Sequence, residues 1–232
     1  MLTKHYMVVG YKGEIGSFIL NGLLKTLPKA LNIWCVDINE TDEEIKQRLD
    51  VSNIIFLCVP LQSTLNWLQK YQILLKNKTI IEQCSLKEWL YENEITNHLN
   101  VKSMHILYRP SQTPNLEDRK IGLFTNQFDN QTAEMIATMT QSKIVWYNDA
   151  KTHDKEMATQ QALLHRSLLI LNNLLKECNG STYISKKIME LSTRIKQGNK
   201  ELYKLIQTNK YLPEILNKMT KDFQEFDLDK IW

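Results

Sequence analysis

The stretch YMVVGYKGEIGSFILNGLL, residues 6–24, decides how the rest of the chain is read. Three of the seven glycines in the chain, Gly10, Gly13 and Gly16, fall within seven of its residues. A β-rich run, Met7 to Val9, precedes them, and a helical run, Ser17 to Lys25, follows. Strand, glycine turn and helix in that order form the setting of a dinucleotide-binding turn. A tight turn needs a residue free to adopt positive φ. A pyrophosphate needs backbone close by with no Cβ in the way, and free N–H groups at the helix start to face it. Gly10, Tyr11, Lys12, Gly13, Glu14, Ile15 and Gly16 are therefore the expected phosphate-side residues.

The second half of that fingerprint is an acid at the end of the next strand. Asp37, in NIWCVDIN, fits. Its carboxylate can accept hydrogen bonds from the adenosine ribose hydroxyls and repel a 2′-phosphate, which favours NAD over NADP. LCVP, residues 57–60, closes the following strand, so Cys58, Val59 and Pro60 are expected to line the other side of the cofactor.

Further out, the first 148 residues alternate β-rich runs with segments of helical length. The runs are HYMVVG, NIWCVD, NIIFLCV, KTIIEQ, VKSMHIL, KIGLF and KIVWY. Such alternation predicts a parallel, doubly wound α/β sheet of Rossmann type over 1–148. After Asn148 the pattern becomes all-helical, with segments over 151–175, 183–207 and 212–226 and a break at Gly198. Residues 149–232 are thus expected to form a second, helical domain, with a ligand cleft between the two.

Composition narrows the function classes. The chain has 232 residues, 43% of them hydrophobic and 24% charged, as in an ordinary globular protein. A net charge of +3, spread along the chain with Lys far outnumbering Arg, gives no nucleic-acid footprint. The longest apolar stretch is too short for a bilayer, and the N-terminus lacks a signal-peptide layout, so a cytoplasmic protein is expected. Cys35, Cys58, Cys84 and Cys178 show no C-x-x-C pairing and read as reduced thiols. No H-E-x-x-H or paired Cys/His spacing appears, so no metal is expected.

Two polar constellations remain. In THDKEMATQQALLHR, residues 152–166, helical spacing puts Asp154, Ala158, Gln161 and His165 in a row on one face. Each has a structural explanation by itself; together they suit a polar ligand. His105 ends the run VKSMHIL and Ser85 follows the run before it, which places both near the carboxyl edge of the sheet. There a serine could hold the imidazole in one tautomer as a general base.

With these residues in view, the chain resembles the prephenate dehydrogenase family over essentially its whole length. VVGYKGEIG resembles the family's V-G-G-x-G-x-L-G turn, IIEQCSLK its D-x-x-S-x-K strand end, and MHILYRPS its L-H-P-M-F-G-P loop. HDKEMATQQALLH resembles H-D-x-x-M-A-x-x-Q-A-L-x-H, and STRIKQGNKELYKLIQTN resembles T-R-I-A-x-x-D-P-E-L-Y-x-D-I. The resemblance implies NAD-dependent oxidative decarboxylation of prephenate to 4-hydroxyphenylpyruvate, in tyrosine biosynthesis. It implies that His105 is the catalytic histidine and that Ser85 supports it beside the nicotinamide. It also implies that Arg194 binds a substrate carboxylate, that Gln161 and His165 face the substrate, and that the helical half builds a homodimer.

Three departures from the family pattern stand out. Tyr11 occupies the second glycine of the turn. Ile106 and Arg109 replace the proline and glycine of the loop after His105, which puts a long cation where it could bind a carboxylate or obstruct the site. The segment between Cys178 and Arg194 is short. These departures admit two alternatives: a dehydrogenase for arogenate or 4-amino-4-deoxyprephenate, or a catalytically inactive NAD-binding protein of the same fold.

Overall fold

The computed structural model describes residues 5–28, 32–113 and 115–226. All seven β-rich runs become strands: β1 (Tyr6–Val9), β2 (Ile33–Val36), β3 (Ile54–Leu57), β4 (Thr79–Glu82), β5 (Asn100–Ile106), β6 (Lys120–Phe124) and β7 (Lys143–Tyr147). They form one sheet in the order β2-β1-β3-β4-β5-β6-β7. The first five are mutually parallel, linked through α1 (Glu14–Thr26), α2 (Asp42–Val51), α3 (Leu61–Leu75) and the short α4 (Glu88–Tyr91). Every residue of β1 and β3 is buried, so these central strands read as unbroken apolar runs rather than alternating ones. Val8 and Phe56 pack with Ile19 of α1 and Ile136 of α5 (Asn130–Thr140) in the main core.

The sheet departs from the fully parallel expectation at one seam. β6 runs antiparallel to β5, and β7 runs parallel to β6. The cause is local. The described residues of 107–119 hold two short 3₁₀ turns, Pro110–Gln112 and Leu116–Asp118, and no crossover helix. Without a crossover the chain cannot return to the starting end, so the next strand pairs antiparallel. Between β6 and β7 the helix α5 supplies that crossover. The carboxyl ends of β1 to β5 therefore share one edge.

The chain divides into two compact units, Met1–Thr152 and His153–Trp232. The second contains α6 (Ala150–Met157, whose first three residues precede the boundary), α7 (Leu164–Leu175), α8 (Tyr183–Lys196), α9 (Lys200–Ile206) and α10 (Leu212–Gln224). Its small core joins Ala162, Ile206 and Leu212, with Tyr203 packed alongside. The break at Gly198 is present, and Asn199 caps α9 by accepting from the amides of Glu201 and Leu202 at 3.0 and 3.2 Å. The uninterrupted helix expected over 151–175 is not: Ala158–Leu163 winds as a π-helix between α6 and α7. The Gln207 side chain donates to the Ala162 carbonyl at 2.9 Å, supplying a partner inside the widened turn. Among the described residues no helix is long and apolar enough to cross a membrane.

Candidate active site

The glycine turn is built as a cradle. Gly10 takes φ +79°, and a Cβ there would collide with the Cys58 carbonyl oxygen. A Cβ on Gly16 would strike the Gly10 carbonyl oxygen. Gly10 thus meets the turn's need for positive φ, and Tyr11 is spared it: among the described residues the only non-glycine positive φ values are at Asn77 and Gln141. Tyr11 instead packs against the main core, with the Lys12 ammonium 5.5 Å from its ring centroid. Gly13 caps α1 in an extended conformation, which leaves Glu14 as the first helical residue and Ile15 packed inward.

Asp37 and the LCVP strand end flank this cradle. Asp37 accepts from the Lys12 amide at 2.9 Å and from the Ile38 amide at 2.9 Å, so its carboxylate touches the turn itself. Cys58 contributes its carbonyl at Gly10, Val59 its side chain, and Pro60 caps α3. Burial pushes the Cys58 thiol up, with the Glu82 charge adding to the effect, so the thiol stays neutral. A cradle that a Cβ would fill, free amides at a helix start and an acid at the ribose end match the shape and chemistry of a dinucleotide.

A buried ionic frame holds the next part of the sheet edge. Glu82, last residue of β4, and Lys87 are both fully buried and pair at 2.7 Å. Lys87 also donates to the Met104 carbonyl at 2.9 Å, next to His105. Glu82 also accepts from the Cys84 amide at 2.6 Å, next to Ser85, and from the Ser103 hydroxyl. Tyr91 and Gln127 close the network on Ser103. The E-x-x-S-x-K spacing now has a physical reason: one ion pair ties the Ser85 turn to the end of β5. Glu82 lies opposite Ser103 in the sheet, so His105, two residues further on, reaches the level of the turn that carries Ser85. His105 is only 4% exposed.

Three neighbours of this site escape a reading by sequence alone. Gly122 of β6 lies directly opposite His105, and a Cβ there would come within 2.7 Å of the ring of the second, Tyr147. The available signal is a glycine inside a strand run, KIGLF, which often marks a close approach. The third is Gln83, whose amide oxygen and nitrogen are both buried without a hydrogen-bond partner among the described residues.

In the second unit the structure gathers part of the predicted polar row. Gln161 sits in the π-helix and His165 at the start of α7. Gln161 Oε1 and His165 Nδ1 are buried with no partner among the described residues. The His165 ring meets Tyr203 edge-on at 5.1 Å, and burial lowers its pKa, which favours neutral imidazole. Asp154 leaves the row: its carboxylate pairs with His153 Nδ1 at 2.7 Å, and its carbonyl accepts from Asn209 at 2.7 Å. Arg194 lies on the exposed side of α8, on one helix face with Lys186, Met189, Glu190 and Thr193. No hydrogen bond joins it to Gln161 or His165 among the described residues.

No protein-family model matches the sequence, and the search of curated proteins finds no match. Solved structures do match. A Corynebacterium glutamicum protein to which prephenate dehydrogenase activity is ascribed superimposes with a TM-score of 0.73 at 16% identity, over 97% of this chain and 81% of that one. The prephenate dehydrogenase of Aquifex aeolicus gives 0.67 at 15% identity, over 97% and 94%. A pyrroline-5-carboxylate reductase from Coxiella burnetii gives 0.52 at 12% identity, over 96% and 93%. At these identities the likeness is one of fold: a Rossmann-type sheet followed by a helical unit, as in these three proteins.

Proposed function

We propose that the protein is an NAD-dependent prephenate dehydrogenase, converting prephenate to 4-hydroxyphenylpyruvate and carbon dioxide. The observation that carries this reading is the placement of His105. It is buried at the carboxyl end of β5, level with the Ser85 turn, and tied to that turn by the Glu82–Lys87 pair. A fold shared with prephenate dehydrogenases supports the reading, as does a glycine cradle with Asp37 at its ribose end.

In this reading His105 accepts the proton of the substrate's ring hydroxyl, and Ser85 holds the imidazole in the accepting tautomer. A nicotinamide cofactor held at the Gly10–Gly16 turn would supply the hydride acceptor for the same carbon. The new ring ketone is conjugated to the carbon bearing the carboxylate, so carbon dioxide leaves and the ring becomes aromatic. Arg194 supplies a fork for a substrate carboxylate, and Gln161 and His165 supply open polar atoms for the substrate's remaining groups. Asp37 would favour NAD over NADP. The four cysteines are unpaired, which suits a reducing cytoplasm. Leu164, Ile170, Leu171 and Leu174 of α7 with Ile184 and Leu191 of α8 leave apolar surface exposed, which suits a homodimer built by this unit. Sedimentation at twice the monomer mass is the expected result, and a monomer at micromolar concentration ends the dimer reading.

The direct test is NADH formation followed by absorbance with prephenate, arogenate and 4-amino-4-deoxyprephenate. Turnover is expected with prephenate and NAD, falling by about 10²–10⁴-fold in His105→Asn. Turnover on an amino analogue alone would reassign the substrate. Dinucleotide binding with no turnover on any of the three would make the chain a binding protein of this fold.

A further inference from the structure

The loop after β5 carries the chain from His105 back to the glycine turn, where Arg109 and Ser111 meet Glu14. Arg109 Nε donates to Glu14 Oε2 at 2.9 Å. The Ser111 amide and hydroxyl donate to Glu14 Oε1 at 3.0 and 2.5 Å. Partial burial would raise the Glu14 pKa, but the Ser111 hydroxyl, the Ser111 amide and Arg109 outweigh it and hold the carboxyl below its usual range. Glu14 is therefore ionised, and it is the first residue of α1.

That position creates a conflict. The cradle of Gly10 and Gly16 suits a diphosphate, yet a carboxylate stands at the same helix start. Two like charges this close oppose binding unless a cation lies between or beside them. Arg109 is that cation. It spends one donor, Nε, on Glu14, and its two terminal amino groups have no protein partner among the described residues. Its side chain is 40% exposed, so the fork is open to a ligand. A planar guanidinium with both terminal groups open matches phosphate oxygens in two-pronged geometry.

We propose that Arg109 is a pyrophosphate-binding residue, oriented by Glu14 beside the glycine turn. The proposal rests on the dinucleotide reading above and makes no use of turnover. It also gives Arg109, which stands where the resembling family has glycine, a cofactor role in place of the substrate-side or obstructing role its position suggested.

Isothermal titration with ADP-ribose and with adenosine tests it on the full chain, with thermal unfolding as the check on folding. Arg109→Gln should weaken ADP-ribose by about 10- to 100-fold, the loss expected for one charge-assisted contact. Adenosine, which lacks phosphate, should bind as before. Arg109→Lys should fall between, because it keeps the charge and loses the fork. Glu14→Gln placed on top of Arg109→Gln should recover part of the loss by removing the uncompensated carboxylate. Equal ADP-ribose affinity in wild type and Arg109→Gln overturns the proposal and leaves the dinucleotide reading standing. Equal loss of adenosine and ADP-ribose makes Arg109 structural and also overturns it. A wild-type protein that binds no ADP-ribose removes the dinucleotide reading itself, and this one with it.

Discussion

The sheet edge of the first unit and the π-helix of the second treat buried polar groups in opposite ways. At the sheet edge, Glu82 and Lys87 are fully buried ions, and each is paired and further hydrogen-bonded. In the π-helix, Gln161 Oε1 and nearby His165 Nδ1 are buried and left without partners among the described residues. Gln83, next to Glu82, shares that open state. The difference follows charge. An unpaired buried ion costs too much to persist, whereas a neutral amide or imidazole left open costs about 1–3 kcal/mol. The paired ions therefore read as the frame, and the neutral groups are the ones that tolerate being left open.

The largest effect that could break this comparison lies in the frame. Lys87→Met leaves Glu82 as an uncompensated buried charge and should cost about 3–5 kcal/mol in urea unfolding. The double variant Glu82→Gln/Lys87→Met removes both charges and should recover most of that loss, because the introduced amide oxygen can still accept from the Cys84 amide while its amino group donates to the Ser103 hydroxyl. If the single and double variants unfold alike, the pair is not the clamp described here. A smaller effect, of opposite sign, is expected in the open group. Gln161→Met should stabilise the free protein by about 1 kcal/mol, since an orphaned acceptor disappears. It should also raise the substrate KM. Destabilisation by Gln161→Met would mean that the amide is satisfied in solution, and the contrast between the two regions would close.

What the sequence discloses follows the same division. The strand runs, the glycine turn and the break at Gly198 are legible because they rest on local chemistry: apolar runs, positive φ and helix stops. The Glu82–Lys87 pair is visible only as a motif, since spacing says nothing of which carbonyl a lysine reaches. The antiparallel seam at β6 is lost because periodicity reports a strand but not its direction; only the short link over residues 107–119 could signal it. The π-helix has no pattern of its own, so helical spacing groups Asp154 with Gln161 and His165, although its carboxylate serves His153. The replacement of glycine by Arg109 is plain in the sequence, but its partner, Glu14, lies 95 residues away and no local rule joins them.

The smallest expected effect concerns the charge state of the open histidine. Burial lowers the His165 pKa below its ordinary 6.5 in the folded chain, so the unfolded chain takes up that proton first as pH falls. The sign follows from proton binding: where the unfolded state binds more protons, stability rises with pH. His165 therefore contributes no penalty above about pH 7.5, where both states are neutral. It withdraws stability as pH drops through 6.5 and continues to do so until the folded imidazole is protonated too. The urea midpoint of the wild type should fall over this window by more than that of His165→Gln, and the difference between the two curves isolates this group from the other four histidines. Parallel curves would mean that His165 titrates as an exposed histidine, with its ring in water rather than held neutral against Tyr203.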